Sequence, residues 1–227
     1  MLDTSSPSVA RACDYLVGGG ASFAADQALA GRLTALYPSL RENLIASRVL
    51  AADAVAQAAR QGVGQYLDIG AGLPTEPSTH SVVRALRPSA SVVYVDRDPA
   101  VVAHGGALVP RGVRYHDGDL AEPEALLAAL TAIDLSQPVC LVLALVLQAV
   151  EPATAHAVVG VLVRALPPGS YLVATVGAGN AGRLPDSVWA AGATEADLAS
   201  FFGRLDLLPP GITRRGEVLG ATGVKRG

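Results

Sequence analysis

The sequence predicts an α/β protein with a mainly parallel sheet, and three observations carry that prediction. Short β-branched or aliphatic runs recur after residue 64, and alanine-rich segments with helical periodicity separate them. This alternation is typical of βαβ units, which build parallel sheets. The run Val139–Leu147 is apolar at every position, as expected for a central strand that is covered on both faces.

Five runs are predicted to form the parallel strands, with a helix between each pair. The strands are Gln65–Gly70, Ala90–Asp96, Gly112–Asp119, Pro138–Leu147 and Gly169–Val176. The helices are about Ser78–Leu86, Pro99–Leu108, Pro123–Thr131 and Ala153–Leu166. The tail is predicted to add a helix, a short strand, a Pro-Gly turn and a final strand. The expected sheet therefore has seven strands and ends in an antiparallel hairpin.

The first third of the chain is predicted to be a helical cap over residues 1–62, followed by an α/β domain over residues 63–227. The segments FAADQALAGRLTALYP and LRENLIASRVLAADAVAQAARQG place apolar residues near helical spacing, and the second ends at Gly62, a residue typical of helix C-termini. Three consecutive glycines, Gly18–Gly20, precede these helices and indicate a flexible or closely approached segment.

Composition and charge exclude several classes of protein. With 51% hydrophobic and 16% charged residues the chain is too apolar to be disordered. A net charge of −3 and 4% aromatic residues argue against a nucleic-acid partner, which would need a basic surface and aromatic stacking platforms. Cys13 and Cys140 give no metal-binding spacing and no disulfide framework, so no metal site is expected.

No membrane partner is expected either. The longest apolar run, Val139–Leu147, is far shorter than the roughly 20 residues that a membrane-spanning helix needs. The N-terminus lacks the basic flank and apolar stretch of a signal peptide. We therefore expect a cytoplasmic protein, and a glycine-rich cap with exposed apolar helices would allow a homodimer.

The segment YLDIGAGLPT, Tyr66–Thr75, carries the most information about function. A predicted strand ends near Asp68, and Gly70, Ala71 and Gly72 then turn the chain. A nucleotide-like ligand lies across this edge of an open α/β sheet, where glycines let the backbone approach it closely. A tight strand-to-helix turn without any ligand would show the same G-x-G pattern, so the motif alone is weak evidence.

Two further acids strengthen the prediction of a nucleotide site. Asp96 ends the next predicted strand, where a carboxylate can accept hydrogen bonds from a ribose diol. Asp119 ends the third, where it could accept a hydrogen bond from an adenine amino group with the Leu120 backbone beside it. A single acid after a strand is usually a helix cap or turn former. Three acids at successive strand ends favour a bound nucleotide.

The chemistry of the turn indicates which nucleotide is bound. Thr75 stands where a dinucleotide-binding fingerprint has its third glycine. Asp68 would repel a pyrophosphate, but it would pair with an ammonium group. S-adenosylmethionine (SAM) carries an ammonium group and no phosphate, so the pattern favours SAM over NAD.

Several segments resemble an actinobacterial family of candidate SAM-dependent methyltransferases. The similarity runs from about Pro7 to the C-terminus. It is carried by RACDYLVGGGASFAAD, QYLDIGAGLPT, VVYVDRDPAVVAH, DGDLAEPEALL and DLSQPVCLVLALVLQAV. The resemblance implies a Rossmann-like class I methyltransferase fold with an N-terminal helical cap, and SAM as the cofactor.

The resemblance also implies a set of cofactor-binding residues. Those matched to the SAM turn, the ribose acid, the adenine side and the cap helix are Asp68, Gly70, Gly72, Asp96, Asp119 and Arg48. Their neighbours Ala71, Arg97 and Leu120 are predicted to bind the cofactor with them. Arg11, Tyr15 and Phe23 match the family's N-terminal signature.

Two departures from the family pattern leave the reaction open. The family's G-G-K-D-N-F is here GGGASF, without the lysine and the aspartate, and Gln148 replaces a histidine after the fourth strand. The first hypothesis is a methyltransferase of a small-molecule acceptor, a secondary metabolite. The alternative is a SAM-binding enzyme with non-methylating chemistry, cyclisation or isomerisation. A non-enzymatic binding protein and an NAD-dependent oxidoreductase are weaker alternatives.

Three residues are candidates for contact with the acceptor. Tyr15 lies beside the glycine segment, next to Asp14, where a cap over the sheet edge would face a ligand. Gln148 is polar after nine apolar residues, and His80 follows the turn closely enough to act as a general base on a hydroxyl. Packing for Tyr15 and exposure in a first helical turn for His80 are the structural alternatives. Phe23 and Trp189 are predicted to be further aromatic walls of the pocket, and the alternative for Trp189, slightly favoured, is that it anchors a loop.

Overall fold

The computed structural model describes residues 5–179 and 192–227. Trp189 lies outside the described residues, so its predicted place in the pocket stays a prediction. The helices are α1 (Val9–Leu16), α2 (Ala24–Leu36), α3 (Leu40–Arg60), α4 (Thr79–Leu86), α5 (Pro99–Leu108), α6 (Pro123–Ala129), α7 (Pro152–Ala165) and α8 (Glu195–Ser200). The strands are β1 (Gln65–Ile69), β2 (Ser91–Asp96), β3 (Val113–Asp117), β4 (Val139–Ala144), β5 (Tyr171–Gly177), β6 (Asp206–Leu207), β7 (Thr213–Arg215) and β8 (Val218–Val224).

The strands form one sheet in the order β3-β2-β1-β4-β5-β8-β6, with β7 also paired to β8. Strands β1 to β5 run parallel, and β8 runs antiparallel to β5. The predicted fold class is confirmed. Within residues 5–179 and 192–227 the sheet has eight strands and not seven, because the short segment Thr213–Arg215 pairs with the start of β8. Two adjacent arginines in that segment gave no apolar pattern from which a strand could be predicted.

The central strand is β4, as predicted, but it is shorter than its apolar run. It ends at Ala144, and Leu145 takes a positive φ of 57° before a 3₁₀ turn over Leu147–Ala149. The backbone N–H of Leu145 donates to the carbonyl of Thr175, 3.0 Å away, at this bend. The apolar residues after Ala144 therefore continue into a turn above the sheet edge.

Both faces of the sheet are covered. Leu141 and Leu143 of β4 belong to the core that α6, α7 and α8 complete, whereas Cys140 and Val142 belong to the core on the α3 side. All four are fully buried, which fits a strand that is apolar at every position.

The N-terminal helices have a small core of their own around Ala12, Ala30, Leu33 and Leu40. The second half of α3 instead packs on the sheet through its alanines. The division of the chain at residues 62 and 63 therefore stays a prediction. Among the described helices, none combines the length and the apolar character that crossing a bilayer requires.

Candidate cofactor and substrate site

The turn after β1 is shaped by its glycines. Gly70 has a φ of +70°, and a Cβ there would collide with the side chain of Val146. The backbone N–H groups of Gly70 and Ala71 donate to the carbonyl of Val95, at 2.8 and 3.1 Å. The turn is thereby attached to β2 and closely approached by the segment after β4, which is why glycine is required at residue 70.

Asp68 is a buried acid at the end of β1. Its Oδ2 accepts a hydrogen bond from Thr79 at 2.6 Å, and the side chain is 8% exposed. Burial raises the pKa of Asp68 to about 6, with a smaller contribution from the Asp96 charge, while the Thr79 hydroxyl and the Arg48 guanidinium act in the opposite direction. Asp68 therefore carries a negative charge that lacks full compensation at neutral pH.

Asp96 ends β2 and is held by two backbone donors. Its Oδ2 accepts from the N–H of Gly72 at 2.9 Å, and its Oδ1 accepts from the N–H of Asp98 at 3.0 Å. Burial raises the pKa of the Asp96 carboxyl. The carboxylate is thus fixed against the glycine turn.

Asp119 follows β3 and accepts a hydrogen bond from the N–H of Ala121 at 2.9 Å, as a turn former does. The turn interpretation of Asp119 is therefore correct, and Asp119 nevertheless also lines the cavity described next.

A cavity of about 510 Å³ lies at this edge of the sheet, beneath α1 and α3. All nine predicted cofactor-binding residues line it. They are Arg48, Asp68, Gly70, Ala71, Gly72, Asp96, Arg97, Asp119 and Leu120. The residues predicted from the sequence therefore lie around a single cavity. Which of them contact a ligand stays a prediction.

Arg48 brings a positive charge to the same cavity from α3. Its Nη1 donates to the carbonyl of Thr75 at 2.8 Å, and its Nη2 approaches the carbonyl of Leu73 at 3.5 Å. Arg48 thereby holds the segment that follows the glycine turn and lies close enough to Asp68 to stabilise its charge.

Two tyrosines beneath the glycine turn were not predicted as site residues. The hydroxyl of Tyr115 donates to the carbonyl of Gly72 at 2.8 Å, and its ring packs on Tyr94 with centroids 4.9 Å apart. Tyr94 also lines the cavity. Two features of the sequence could have pointed to these tyrosines. Aromatic residues are rare in this chain, and α5 contains two glycines. Glycine is needed at residue 105 because a Cβ there would lie 2.5 Å from the Tyr115 ring.

The other half of the cavity is apolar. It is lined by residues of α1, α3 and the segment after β4, namely Val9, Ala10, Cys13, Leu44, Leu145, Val146, Ala149 and Val150. Leu44 and Leu145 both pack against the core of the N-terminal helices, so the segment after β4 and the cap meet there.

The three residues predicted to contact the acceptor are not among the described lining residues of this cavity. Tyr15 is 43% exposed. Phe23, predicted as an aromatic wall, instead lies beneath the guanidinium of Arg11, 5.5 Å from the ring centroid. The outward position of Tyr15 follows from the orientation of α1, whose buried residues are Arg11, Ala12 and Asp14.

Gln148 does not point into the cleft as expected. It is fully buried, its Oε1 accepts from the N–H of Gly177 at 2.6 Å, and its Nε2 donates to the Gly177 carbonyl at 3.2 Å. Because the strand ends at Ala144, Gln148 lies in the 3₁₀ turn and satisfies the backbone at the end of β5. The polar residue after the apolar run therefore has a structural role, since its side chain hydrogen-bonds to the backbone.

His80 lies behind Tyr94. Its backbone N–H donates to the Tyr94 hydroxyl at 2.9 Å, and its Nδ1 is 2.9 Å from the same oxygen. Either Nδ1 or the Tyr94 hydroxyl can donate in this contact, and burial lowers the pKa of His80. Nδ1 of His80 also lies 3.1 Å from the Ser78 hydroxyl, so His80 contacts two residues that line the cavity, Ser78 and Tyr94.

The sequence profile of the S-adenosyl methyltransferase family matches residues 1–219. The chain belongs to this family. It is therefore a SAM-dependent methyltransferase, and the resemblance seen in the sequence is confirmed.

Solved structures agree with the assignment. A candidate methyltransferase from Thermobifida fusca is 32% identical, with a TM-score of 0.85 over 99% of this chain and 97% of that one. A DUF574 family protein from Streptomyces avermitilis is 29% identical, with a TM-score of 0.83 over 98% and 99% of the two chains. Both sources are actinobacteria. A search of curated proteins found no match.

More distant structures support the fold alone. The N-methyltransferase NodS of Bradyrhizobium japonicum, solved with S-adenosyl-L-homocysteine (SAH), is 15% identical, with a TM-score of 0.56 over 78% of this chain and 86% of that one. This methyltransferase thus has the class I Rossmann-like fold that the sequence predicts.

The charges in the cavity fit this cofactor. Asp68 and Arg48 offer opposite charges to the ammonium and carboxylate groups of its amino-acid end, and Asp96 offers carboxylate oxygens to ribose hydroxyls. Burial raises the pKa of both Asp68 and Asp96. A bound ligand with a cationic or hydroxyl group would stabilise their charged forms, and such perturbed acids are typical of binding sites.

Proposed function

We propose that this methyltransferase acts on a small, apolar acceptor, a secondary metabolite, in the cytoplasm. The observation that carries the proposal is the apolar half of the cavity. The residues that α1 and the segment after β4 contribute to it are all uncharged: Val9, Ala10, Cys13, Leu145, Val146, Ala149 and Val150. The volume of about 510 Å³ is within the range of small-molecule sites, roughly 300–1,000 Å³.

In this proposal the protein acts by holding two molecules together. SAM, when bound, supplies a methyl group on a positively charged sulfur. Asp68, Asp96 and Arg48 fix the cofactor in the polar half, while the apolar wall orients the acceptor and excludes water. Proximity and orientation account for much of the acceleration of such a transfer. An uncharged amine can attack through its lone pair without a protein base, whereas a hydroxyl or thiol acceptor must also lose its proton to a base or to water.

We infer further that neither nucleic acid nor a membrane is a partner. The net charge of −3 and the few aromatic residues support this. A homodimer is also proposed, supported by apolar side chains that the cap exposes, among them Tyr15 at 43% and Leu36 at 70%. Light scattering of the purified protein tests the homodimer, and a mass of 23.0 kDa would contradict it.

The experiment is a mass-spectrometric screen of acceptors with SAM. Planar and aliphatic molecules that carry one amine, thiol or hydroxyl are incubated with the protein, and each product is weighed. We expect a gain of one methyl group together with an equivalent of SAH. A product of unchanged mass with SAM intact would contradict the proposal and favour the cyclisation or isomerisation alternative.

A matched pair of variants locates the reaction. Ala149→Phe fills the apolar half and is expected to abolish transfer while SAH still binds. Asp96→Ala removes the cofactor contact and is expected to abolish both. If Ala149→Phe methylates the acceptor as fast as the wild type, the acceptor does not bind in the apolar half.

A further inference from the structure

Helix α1 lies across the cofactor cavity and is attached at both ends to the loops that form it. The segment contributes Pro7, Ser8, Val9, Ala10 and Cys13 to the cavity lining. Ser8 is the N-cap residue of α1, and Asp14 lies in its last turn. Each of these two residues makes a side-chain hydrogen bond to a different cofactor loop.

The first contact joins α1 to the loop after β2. The hydroxyl of Ser8 donates to Oδ2 of Asp98 at 3.0 Å. Asp98 caps α5 through Oδ1, which accepts from the N–H of Ala100 at 2.8 Å, and its own N–H donates to Asp96. The Ser8 contact therefore ends two residues from the acid that faces the ribose.

The second contact joins α1 to the segment after the glycine turn. The hydroxyl of Thr75 donates to Oδ1 of Asp14, and the carbonyl of Thr75 accepts from Arg48 at 2.8 Å. Asp14 is 3% exposed, and its Oδ2 also accepts from the N–H of Ala21 at 3.3 Å. The Asp14 contact thus reaches the opposite loop of the cavity.

The GGGAS segment keeps Asp14 in this orientation. A side chain at residue 19 would collide with the Asp14 carboxyl, and the N–H of Gly19 donates to the Asp14 carbonyl at 2.8 Å. The glycines that interrupt the sequence between α1 and α2 therefore make room for the carboxylate. They place it against Thr75 and do not themselves line the cavity.

A buried ion pair joins helix α1 to the start of α2. Nε of Arg11 lies 2.7 Å from Oδ2 of Asp26, with the two side chains 3% and 0% exposed. Asp26 also accepts from the N–H of Ser8 at 2.8 Å and of Phe23 at 2.9 Å. Displacement of α1 together with the start of α2 would break the Ser8 and Asp14 contacts and disturb the packing of Ala12 in the core shared with Leu40 of α3, but it would leave this pair intact.

We propose that Ser8 and Asp14 are positioning residues that hold α1 over the bound cofactor, and that breaking their two contacts limits the release of SAH. Each contact is a hydrogen bond to a carboxylate. Its loss is expected to raise the population of molecules with α1 displaced by about fivefold or more. The proposal depends on the cofactor, which the family establishes, and not on the identity of the acceptor.

The test measures how fast radiolabelled SAH leaves the protein when unlabelled SAH is added in excess. Thr75→Val removes the hydroxyl that Asp14 accepts, and Ser8→Ala removes the donor to Asp98. Both are expected to accelerate release about fivefold, and the double variant more than either. Thr75→Ser, which keeps the hydroxyl, is expected to restore release to within about twofold of the wild type.

Thr34→Val is the matched control. It removes a threonine hydroxyl from α2 that bonds to the Ala30 carbonyl at 2.7 Å, in the same cap but away from the cavity. An unchanged rate of SAH release in Thr34→Val supports the proposal, because a general loosening of the cap would accelerate release in this variant as well. Wild-type release rates in both Ser8→Ala and Thr75→Val would overturn the proposal, as would equal acceleration by Thr34→Val.

Hydrogen exchange of the wild-type protein gives a second readout that needs no variant. If α1 must move for the cofactor to pass, added SAH slows the exchange of the amides of residues 9–16. Equal exchange of these amides with and without saturating SAH would overturn the proposal.

Discussion

The two halves of the cavity are built by different means. In the polar half, at the ends of β1 to β3, acids such as Asp68 and Asp96 are fixed by hydrogen bonds, from Thr79 at the start of α4 and from Gly72 in the glycine turn respectively. In the apolar half, after β4, the wall consists of aliphatic side chains such as Leu145 and Val150 from a 3₁₀ turn and its flanks. If the proposed sites are correct, cofactor binding depends on single polar residues, whereas acceptor binding is distributed over an apolar surface.

The largest expected effect is that of Asp96→Ala on SAH affinity. The carboxylate is preorganised by the N–H groups of Gly72 and Asp98, so its loss removes charge-assisted hydrogen bonds to the ribose and frees two backbone donors. We expect affinity to fall by about 100-fold or more, measured by calorimetry.

The control for this variant is Asp117→Ala. Asp117 is the register partner of Asp96 on β3 but is exposed and does not line the cavity. The Asp117→Ala substitution removes the same charge from the same edge of the sheet as Asp96→Ala does. A comparable loss of affinity in both variants would mean that general electrostatics, and not the Asp96 position, holds the cofactor.

The second effect is a pH dependence that arises from Asp68. Burial raises its pKa to about 6, so the carboxyl becomes protonated and neutral as the pH falls through this value. Since only the carboxylate attracts the ammonium group of SAH, we expect affinity to be about tenfold weaker at pH 5 than at pH 7.5. Calorimetry at the two pH values measures it.

Asp68→Asn is the matched control for the pH dependence. It keeps the size of the side chain but cannot ionise, so most of the difference between pH 5 and pH 7.5 should disappear. Asp96, whose pKa burial also raises, accounts for any smaller dependence that remains. An unchanged tenfold difference in Asp68→Asn would assign the titration to another group.

The third effect tests the tyrosine beneath the turn. Tyr115→Phe removes the hydrogen bond to the carbonyl of Gly72 and leaves the ring in place. We expect SAH affinity to fall by about three- to tenfold, as one neutral hydrogen bond allows. Fluorescence or calorimetric titration with SAH measures the change.

Tyr66→Phe provides the comparison for Tyr115→Phe. Tyr66 also donates its hydroxyl to a backbone carbonyl, that of Val63 at 3.1 Å, but at the amino end of β1, away from the cavity. Both variants should lose similar stability in urea, and only Tyr115→Phe should lose affinity. Equal affinity in the two variants would show that Tyr115 supports the fold alone.

The same difference between the halves explains what the sequence could predict. The alternation of strands and helices predicted the parallel sheet, and acids such as Asp96 at strand ends predicted the polar half. These signals are local in the chain. The apolar half was not predicted because its wall combines α1, α3 and the segment after β4, which contact each other only in the folded protein.

Single polar residues were misjudged for a related reason. The sequence alone cannot tell whether a polar side chain meets a ligand or a backbone group. Gln148 meets the backbone of Gly177, and His80 meets Tyr94. In each case the partner is remote in sequence or hidden by an unpredicted turn.

The smallest expected effect on SAH affinity is that of Gln148→Met, which separates structural support from ligand contact. Methionine keeps the volume of glutamine but removes both hydrogen bonds to Gly177, and so leaves a buried N–H and a buried carbonyl without partners. We expect the free energy of unfolding, measured by urea denaturation, to be about 2–4 kcal/mol lower than that of the wild type. SAH affinity should stay within about twofold of the wild type, because Gln148 does not line the cavity. A variant with native stability and lost affinity would instead place Gln148 at the ligand, and the polar half would then extend beyond the strands that carry the acids.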